Sequence, residues 1–354
     1  MAQRARTGGH AWVFAQYARG LRSLGWEVVF VDRHDGAWQD DGRISLLGGA
    51  DAVAVLDGDG AGGYGLDRDE LVAFARGAEL VINVMGYLDD EEILAAPRRR
   101  VFLDIDPGFG QMWRALGLAD IFAGHDAYVT VGSTIGGSAV PACGIDWIPT
   151  LPPVHLADWP VATPAPAAPV TSVVSWRGPF EPIEYGGTTD GLRVHEFRRF
   201  LELPGRVGER FELSLDIDPA DDRDRTALLE HGWALADPSE TAGTPDRYRD
   251  YVRRSKAELM IAKHLYVASG GGWFSDRSAC YLAAGRPVIA QDTGFSAVLP
   301  TGDGLLTFTT PDEAVEATRD LHRHYEHHCR AARALAEEHF STDVVLPRLL
   351  EAVL

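Results

Sequence analysis

Ser269–Gly294, SGGGWFSDRSACYLAAGRPVIAQDTG, reads as a glycine-rich turn, a helix and a buried strand gathered around one anion site. Three consecutive glycines, Gly270 to Gly272, let backbone approach a ligand closely. Ser275 or Asp276 then caps a helix of good formers, ACYLAA, which Gly285 ends. Pro287–Gln291 (PVIAQ) and, upstream, Glu258–Ala262 (ELMIA) have the length and apolarity of strands buried on both faces. Lys263 follows one strand; Asp292, Thr293 and Gly294 follow the other. A helix amino terminus offers unpaired N–H groups and partial positive charge, which Lys263 and Arg277 reinforce. The pattern predicts a nucleotide diphosphate site past the carboxyl ends of parallel strands, with Ser275, Asp276, Arg277 and Ser278 at the helix start. The competing reading is an ordinary βαβ turn whose glycines serve only geometry.

Outward from this stretch, helical and strand patterns alternate, which predicts an α/β fold with parallel sheets. Trp12, Phe14, Tyr17, Ala18, Leu21 and Leu24 recur at helical spacing before Gly25 and the strand WEVVFVD. Further strands are expected at ELVINV (79–84), RVFLDI (100–105), AYVTV (127–131) and DWIPT (146–150), with LDRDELVAFARG as a capped helix between. Prolines across 151–169 forbid regular pairing. A second set follows: strands TSVVSWRG (171–178), RFELSLDI (210–217) and GWALA (232–236), and helices near 191–202 and 245–256. The expected domains are 1–160, a Pro-rich linker 161–170, 171–320, and carboxyl-terminal helices over 321–354 that fold back across the cleft. DGDGAGGYG (57–65) lacks the later ligands of a calcium loop and reads as a mobile loop. His324 and His328 stand at i and i+4 on the long pattern EAVEATRDLHRHYEHHCRAARALAEEHF, with no carboxylate or thiolate constellation read beside them, and are taken as structural rather than metal-binding.

The chain has 354 residues, which predicts two domains. With 33 Lys and Arg against 52 Asp and Glu, its net charge of −19 argues against a nucleic acid polymer as partner. Cys143, Cys280 and Cys329 are widely separated and suit a reducing cytoplasm better than a disulfide or zinc framework. No apolar run is long enough to span a bilayer.

Two alternating sets, a Pro-rich linker and AGRPVIAQDTG (284–294) together resemble the GT-B glycosyltransferases over most of the chain. Thr7, Gly8, Gly9 and His10 are similar to the Gly-Gly loop such enzymes place at their first helix. The GWFSDRSACYLAAGRP form resembles an actinobacterial-looking branch of these enzymes. The resemblance implies two Rossmann-like domains facing a cleft, and a hexosyl transfer from a nucleotide diphosphate sugar, UDP or dTDP favoured, to a small-molecule or soluble glycan acceptor. It implies no metal and no cofactor beyond the donor. Two departures stand out. Gly272 and Cys280 occupy the positions of the two glutamates that many retaining members carry. Only MAQRAR precedes Thr7, so the first strand of the amino-terminal domain is absent or very short.

Departure of a nucleotide diphosphate builds charge that fixed cations stabilise. Lys263 and Arg277 are the first candidates, with Arg177 next because it ends SVVSWRG; a plain surface arginine remains open there. For an inverting course His10 is the expected base, or else a capping histidine. Asp106 joins it as catalytic, or forms an Asx-turn before Pro107. Gly8, Gly9, Asp104 and His125 are expected at the acceptor, and Trp113, Tyr87 and Trp273 as stacking surfaces. A sugar-nucleotide 2-epimerase and a noncatalytic nucleotide-binding partner are the alternatives.

Overall fold

The computed structural model describes residues 7–34, 46, 50–57, 63–178 and 180–354, arranged as two parallel-sheet units. In the first, helix α1 (Gly8–Ser23) leads to β1 (Val29–His34), β2 (Ala52–Asp57) and β3 (Gly63–Gly65). Helix α2 (Arg68–Gly77) begins at a capping box, Asp67 accepting from the Glu70 N–H while the Glu70 side chain accepts from the Asp67 N–H. It leads to β4 (Leu80–Val84), β5 (Arg99–Asp104), helix α3 (Phe109–Ala115), β6 (Ala127–Thr130) and β7 (Trp147–Pro149).

These strands form two sheets. β1 and β2 are parallel with β3 antiparallel on β2, while β4-β5-β6-β7 is a separate parallel sheet. Gly63–Gly65 is therefore strand where a mobile loop was expected, and 58–62 lie outside the described residues. A Cβ on Gly63 would stand 1.7 Å from the Val55 carbonyl oxygen, so only glycine pairs there. Between β1 and β4 lies a cavity of about 800 Å³.

The second unit runs β8 (Val170–Ser175), a β9–β10 hairpin (Ile183–Tyr185, Thr188–Asp190), α4 (Arg193–Phe197), β11 (Phe211–Asp216) and β12 (Ala234–Ala236). It continues through α5 (Pro245–Arg254), β13 (Ala257–Met260), α6 (His264–Ser269), α7 (Asp276–Ala283), β14 (Val288–Gln291) and β15 (Leu305–Phe308). Its sheet is wholly parallel in the order β12-β11-β8-β13-β14-β15. Counted along the chain this is 3-2-1-4-5-6, the doubly wound order, whose direction reverses between β8 and β13. Every residue of β13 and β14 is buried, as helices on both faces require.

The long carboxyl-terminal pattern is two helices, not one: α8 (Pro311–Arg323) and α9 (Tyr325–Leu335) break at His324, which leaves helical geometry at φ −121° and ψ 30°. The last helix, α10 (Thr342–Val353), packs Leu346, Leu349 and Val353 against Val101, Leu103 and Val129 of the first unit. Close approach to α1 is possible because residue 20 is glycine; a Cβ there would sit 2.5 Å from Leu346 and Thr342.

Candidate functional site

The carboxyl ends of β8 and β13 flank the point where the second sheet reverses, so residues just past them share a crevice. Arg177 follows β8 and Lys263 follows β13. Lys263 is 8% exposed; its ammonium donates to Asp106 at 2.9 and 3.0 Å and to the Tyr266 hydroxyl at 3.1 Å. The rings of Tyr266, Phe109 and Phe180 surround it at 5.0, 5.3 and 5.7 Å from their centroids. Asp106 stands past β5 of the first unit, so this ion pair joins the two units. Arg177 is more open, forming a two-pronged pair with Asp221 and keeping 57% of its side chain exposed.

A third cation was not singled out by sequence. The β9–β10 hairpin returns the chain so that Arg193, 8% exposed on α4, donates to the Ser175 carbonyl at the end of β8 while its Nε stays buried without a partner. Burial, then the nearby Arg277 charge, lowers its pKa to about 10. One turn along α4, buried Glu196 accepts from His264 Nδ1 at 2.8 Å, from Arg199 and from Gln291 at 2.6 Å. Burial alone would raise this carboxyl, but those donors hold it below its ordinary range. His264, beside Lys263, is thereby fixed from below.

Other expected residues are placed differently. Arg277 runs back beneath the sheet, pairing with fully buried Glu258 of β13 and donating to the Val173 carbonyl at 2.8 Å. In this arrangement its guanidinium serves the core rather than a phosphate. Ser275 and Ser278 are 2% and 0% exposed, and Asp276, whose carboxyl is raised by burial, faces Trp12, Gln16 and Cys280 from α1 and α7. The start of α7 thus abuts the first unit. Asp292 accepts from the Gly294 N–H at 2.9 Å and from Ser296, closing its own turn, while the Thr293 hydroxyl donates to the Trp273 carbonyl.

The glycine loop is gripped from both sides. Gly272 donates to the Thr293 carbonyl at 2.8 Å, and its own carbonyl accepts from the Ser133 hydroxyl at 3.0 Å. The Gly270 carbonyl accepts from Thr134 at 2.7 Å. A Cβ on Gly272, at φ +73°, would meet Ser133 Oγ at 2.3 Å, so here the glycine serves close contact between units. Gly8 and Gly9 do likewise. A Cβ on Gly8 would lie 2.2 Å from the Thr244 carbonyl oxygen and one on Gly9 2.9 Å from Tyr248, so the pair seats α1 on the second unit. His10 follows in the first turn of α1, edge-on to Phe14 at 5.0 Å between centroids.

Asp104 is 2% exposed and accepts from Gln111 at 2.6 Å, Thr130 at 3.1 Å and the Asp106 N–H at 3.1 Å. Burial outweighs those bonds and pushes its pKa up to about 7. It orients the turn that carries Asp106. His125 precedes β6, at the opposite sheet edge from the cleft, with Nδ1 toward the Phe122 carbonyl and Nε2 toward the Asn83 amide, both at 3.1 Å. It braces that edge instead of meeting an acceptor. Trp273 stacks on Tyr266 at 4.3 Å, Trp113 packs on Phe109 and Phe180, and Tyr87 is 53% exposed.

In the carboxyl-terminal cluster a carboxylate does join the histidines, since Asp320, His324 and His328 have ligand atoms within 4.8 Å of one another. His328 Nδ1 accepts from the Gly304 N–H at 3.1 Å, which leaves Nε2 protonated toward Asp320 at 3.3 Å. That arrangement ties His328 to the loop before β15. No helix among the described residues is long and apolar enough to cross a membrane.

Residues 226–350 match the glycosyl transferase-like family. AviGT4, a glycosyltransferase of avilamycin A biosynthesis, superposes with a TM-score of 0.59 over 97% of this chain and 88% of its own at 14% identity. HepE of Anabaena in complex with UDP-glucose gives 0.60 over 99% and 97% at 12%. The sucrose-phosphate synthase of Thermosynechococcus elongatus gives 0.57 over 95% and 90% at 13%. The chain has the GT-B fold, with a glycosyltransferase-like segment over residues 226–350. No curated protein matches it. In GT-B terms, Lys263, Arg177 and Arg193 lie by the ends of the strands that flank the switch point of the carboxyl-terminal sheet, and Asp106 reaches Lys263 from the amino-terminal unit.

Proposed function

We propose that the protein transfers a sugar from a nucleotide diphosphate sugar, UDP or dTDP, to a small-molecule or soluble glycan acceptor. The observation that carries this reading is that Lys263 and Arg177 follow β13 and β8, the two strands that flank the switch point of a 3-2-1-4-5-6 sheet, where an anionic ligand would find fixed positive charge. The glycosyl transferase-like match over 226–350 includes Lys263 and supports it. The cations take the role a metal plays elsewhere, and Asp106 acts as the internal anion that holds Lys263 until the donor diphosphate replaces it. Acceptor then enters from the first unit. His10 is the proposed base for an inverting course; a retaining course needs none.

The test is turnover of UDP-, dTDP-, GDP- and ADP-sugars, with and without an acceptor panel, in chelator. Acceptor-dependent release of one nucleotide diphosphate, undiminished by chelator, is the expected result. An isomerised donor formed without acceptor would make the protein a 2-epimerase, and binding without turnover a nucleotide-binding partner; either overturns the reading.

A further inference from the structure

Two strands of the second sheet leave it in different ways. β13 reaches α6 through residues 261–263 alone, whereas β8 reaches α4 only after residues 176–192, far beyond the roughly two to six residues that such connections use. The excess is the β9–β10 hairpin, which pairs with no other strand among the described residues. Gly186 and Gly187, at φ +61° and +85°, form its two-residue turn. A two-stranded ribbon is marginal in water by itself. Its hold on the rest is narrow: Ile183 is buried and Phe180 and Tyr185 are half-buried, while Glu181, Pro182, Glu184 and Thr189 are exposed.

The ribbon roofs Lys263. The Phe180 ring lies 5.7 Å from the ammonium and reaches across to the first unit, 4.8 Å from Phe109 and edge-on to Trp113 at 5.2 Å. A Cβ on Gly178 would stand 3.8 Å from Lys263 Cε. With the ammonium enclosed by rings and held by Asp106, an anion reaches it only when the cover moves. Asp106 is ill suited to move first, because its turn is tied to buried Asp104. The ribbon is better suited. A glycine stands at each of its feet, Gly178 at φ +92° and Gly191 at φ +149°, and rotation there swings the ribbon while β8 and α4 stay in place. Arg177 and Arg193 lie outside those two glycines, tied to Asp221 and to the Ser175 carbonyl, so both cations remain when the cover lifts.

We propose that residues 180–190 are a lid over Lys263, hinged at Gly178 and Gly191 and latched to the first unit by Phe180 against Phe109 and Trp113. The identity of the anion it admits, a nucleotide diphosphate, rests on the proposed reaction; the opening itself does not. Phe180 is thus a gating residue, which sets how fast an anion reaches Lys263 and how fast it leaves.

Lys256 and Lys263 are the only lysines of the chain, and Lys256 is 1% exposed, so labelling by an amine-reactive reagent reads the lid against a built-in control. The experiment compares the labelling rates of both lysines, by mass spectrometry, in the unaltered protein and in Phe180→Ala, and then the association rates of inorganic pyrophosphate, UDP and dTDP. Phe180→Ala is expected to label Lys263 at least about fivefold faster with Lys256 unchanged, and to speed association about threefold or more. Equal labelling of Lys263 in the two proteins overturns the lid, even where a nucleotide binds. So does a parallel rise at both lysines, which would mark a loosened fold. Faster labelling of Lys263 alone, with no affinity for UDP or dTDP in either protein, supports the lid and overturns the transferase reading instead. Should Phe180→Ala fail to fold, Phe180→Leu is judged by the same rates.

Discussion

The two units of this protein join their strands differently: six stand in one parallel sheet in the carboxyl-terminal unit, and seven are split between a sheet of three and a sheet of four in the amino-terminal one. In the carboxyl-terminal unit β8 occupies the middle, every residue of β13 and β14 is buried, and the switch point presents Lys263 and Arg177. In the amino-terminal unit a cavity lies between β1 and β4, and both strands are only half-buried although β4 (LVINV) is as apolar as the strands of the complete sheet. Composition makes a strand; a neighbour on each edge makes it core. The lesson extends to function, since the groups that suit a diphosphate lie in the complete unit, while the incomplete one contributes Asp106, past β5.

The contrast breaks most visibly at the buried ion pair under the complete sheet. Glu258→Ala strands the Arg277 guanidinium and should cost about 3–5 kcal/mol in denaturant unfolding; a change below about 1 kcal/mol would mean that Arg277 can turn outward to the cleft. Next, truncations at comparable strand positions should separate the sheets. Ile289→Ala, at a fully buried site in β14, is expected to cost about 2–5 kcal/mol, and Val81→Ala, beside the cavity, about 1 kcal/mol or less. Equal costs would show that cavity to be closed in solution.

A pH profile sharpens the comparison at the first unit's contribution to the cleft. The Asp104 carboxyl is raised from 3.8 to about 7 in the folded protein, chiefly by burial. Its stability contribution is therefore complete below about pH 4 and lost as pH rises through 7, a fall of at most about 4 kcal/mol. Asp104→Asn should flatten that stretch of the profile; an unchanged slope would place the titration elsewhere. The smallest effect is expected at the exposed Arg206–Asp312 pair, where Asp312→Ala should alter stability by less than about 1 kcal/mol.

Much of the second unit was legible. ELMIA and PVIAQ are largely apolar runs, and their strands at 257–260 and 288–291 lie within a residue or two of the reading, while TSVVSWRG, read over 171–178, is strand over 170–175 and ends three residues sooner. Strand β2 was hidden by the glycine run after it. The site was legible in part. A residue's place past a strand end follows from pattern, which is how Lys263 and Arg177 were found. The direction in which a long side chain turns does not, so Arg277 reads as a phosphate ligand although its partner, Glu258, lies on a strand nineteen residues earlier in the chain. Arg193 was unreadable for the converse reason, because only the hairpin return of β9–β10 carries it back to the end of β8. The glycines at 8, 9 and 272 read as ligand loops because sequence does not say whether a close approach is to a ligand or to the other unit.

The most direct test of the central claim is calorimetric titration of UDP and dTDP into the unaltered protein and into Lys263→Met. The account predicts that one of them binds the unaltered protein without added metal and that the substitution weakens it by about tenfold or more, as loss of a charge-assisted contact requires. Equal affinity in both proteins, or no affinity of the unaltered protein for either nucleotide, would contradict it.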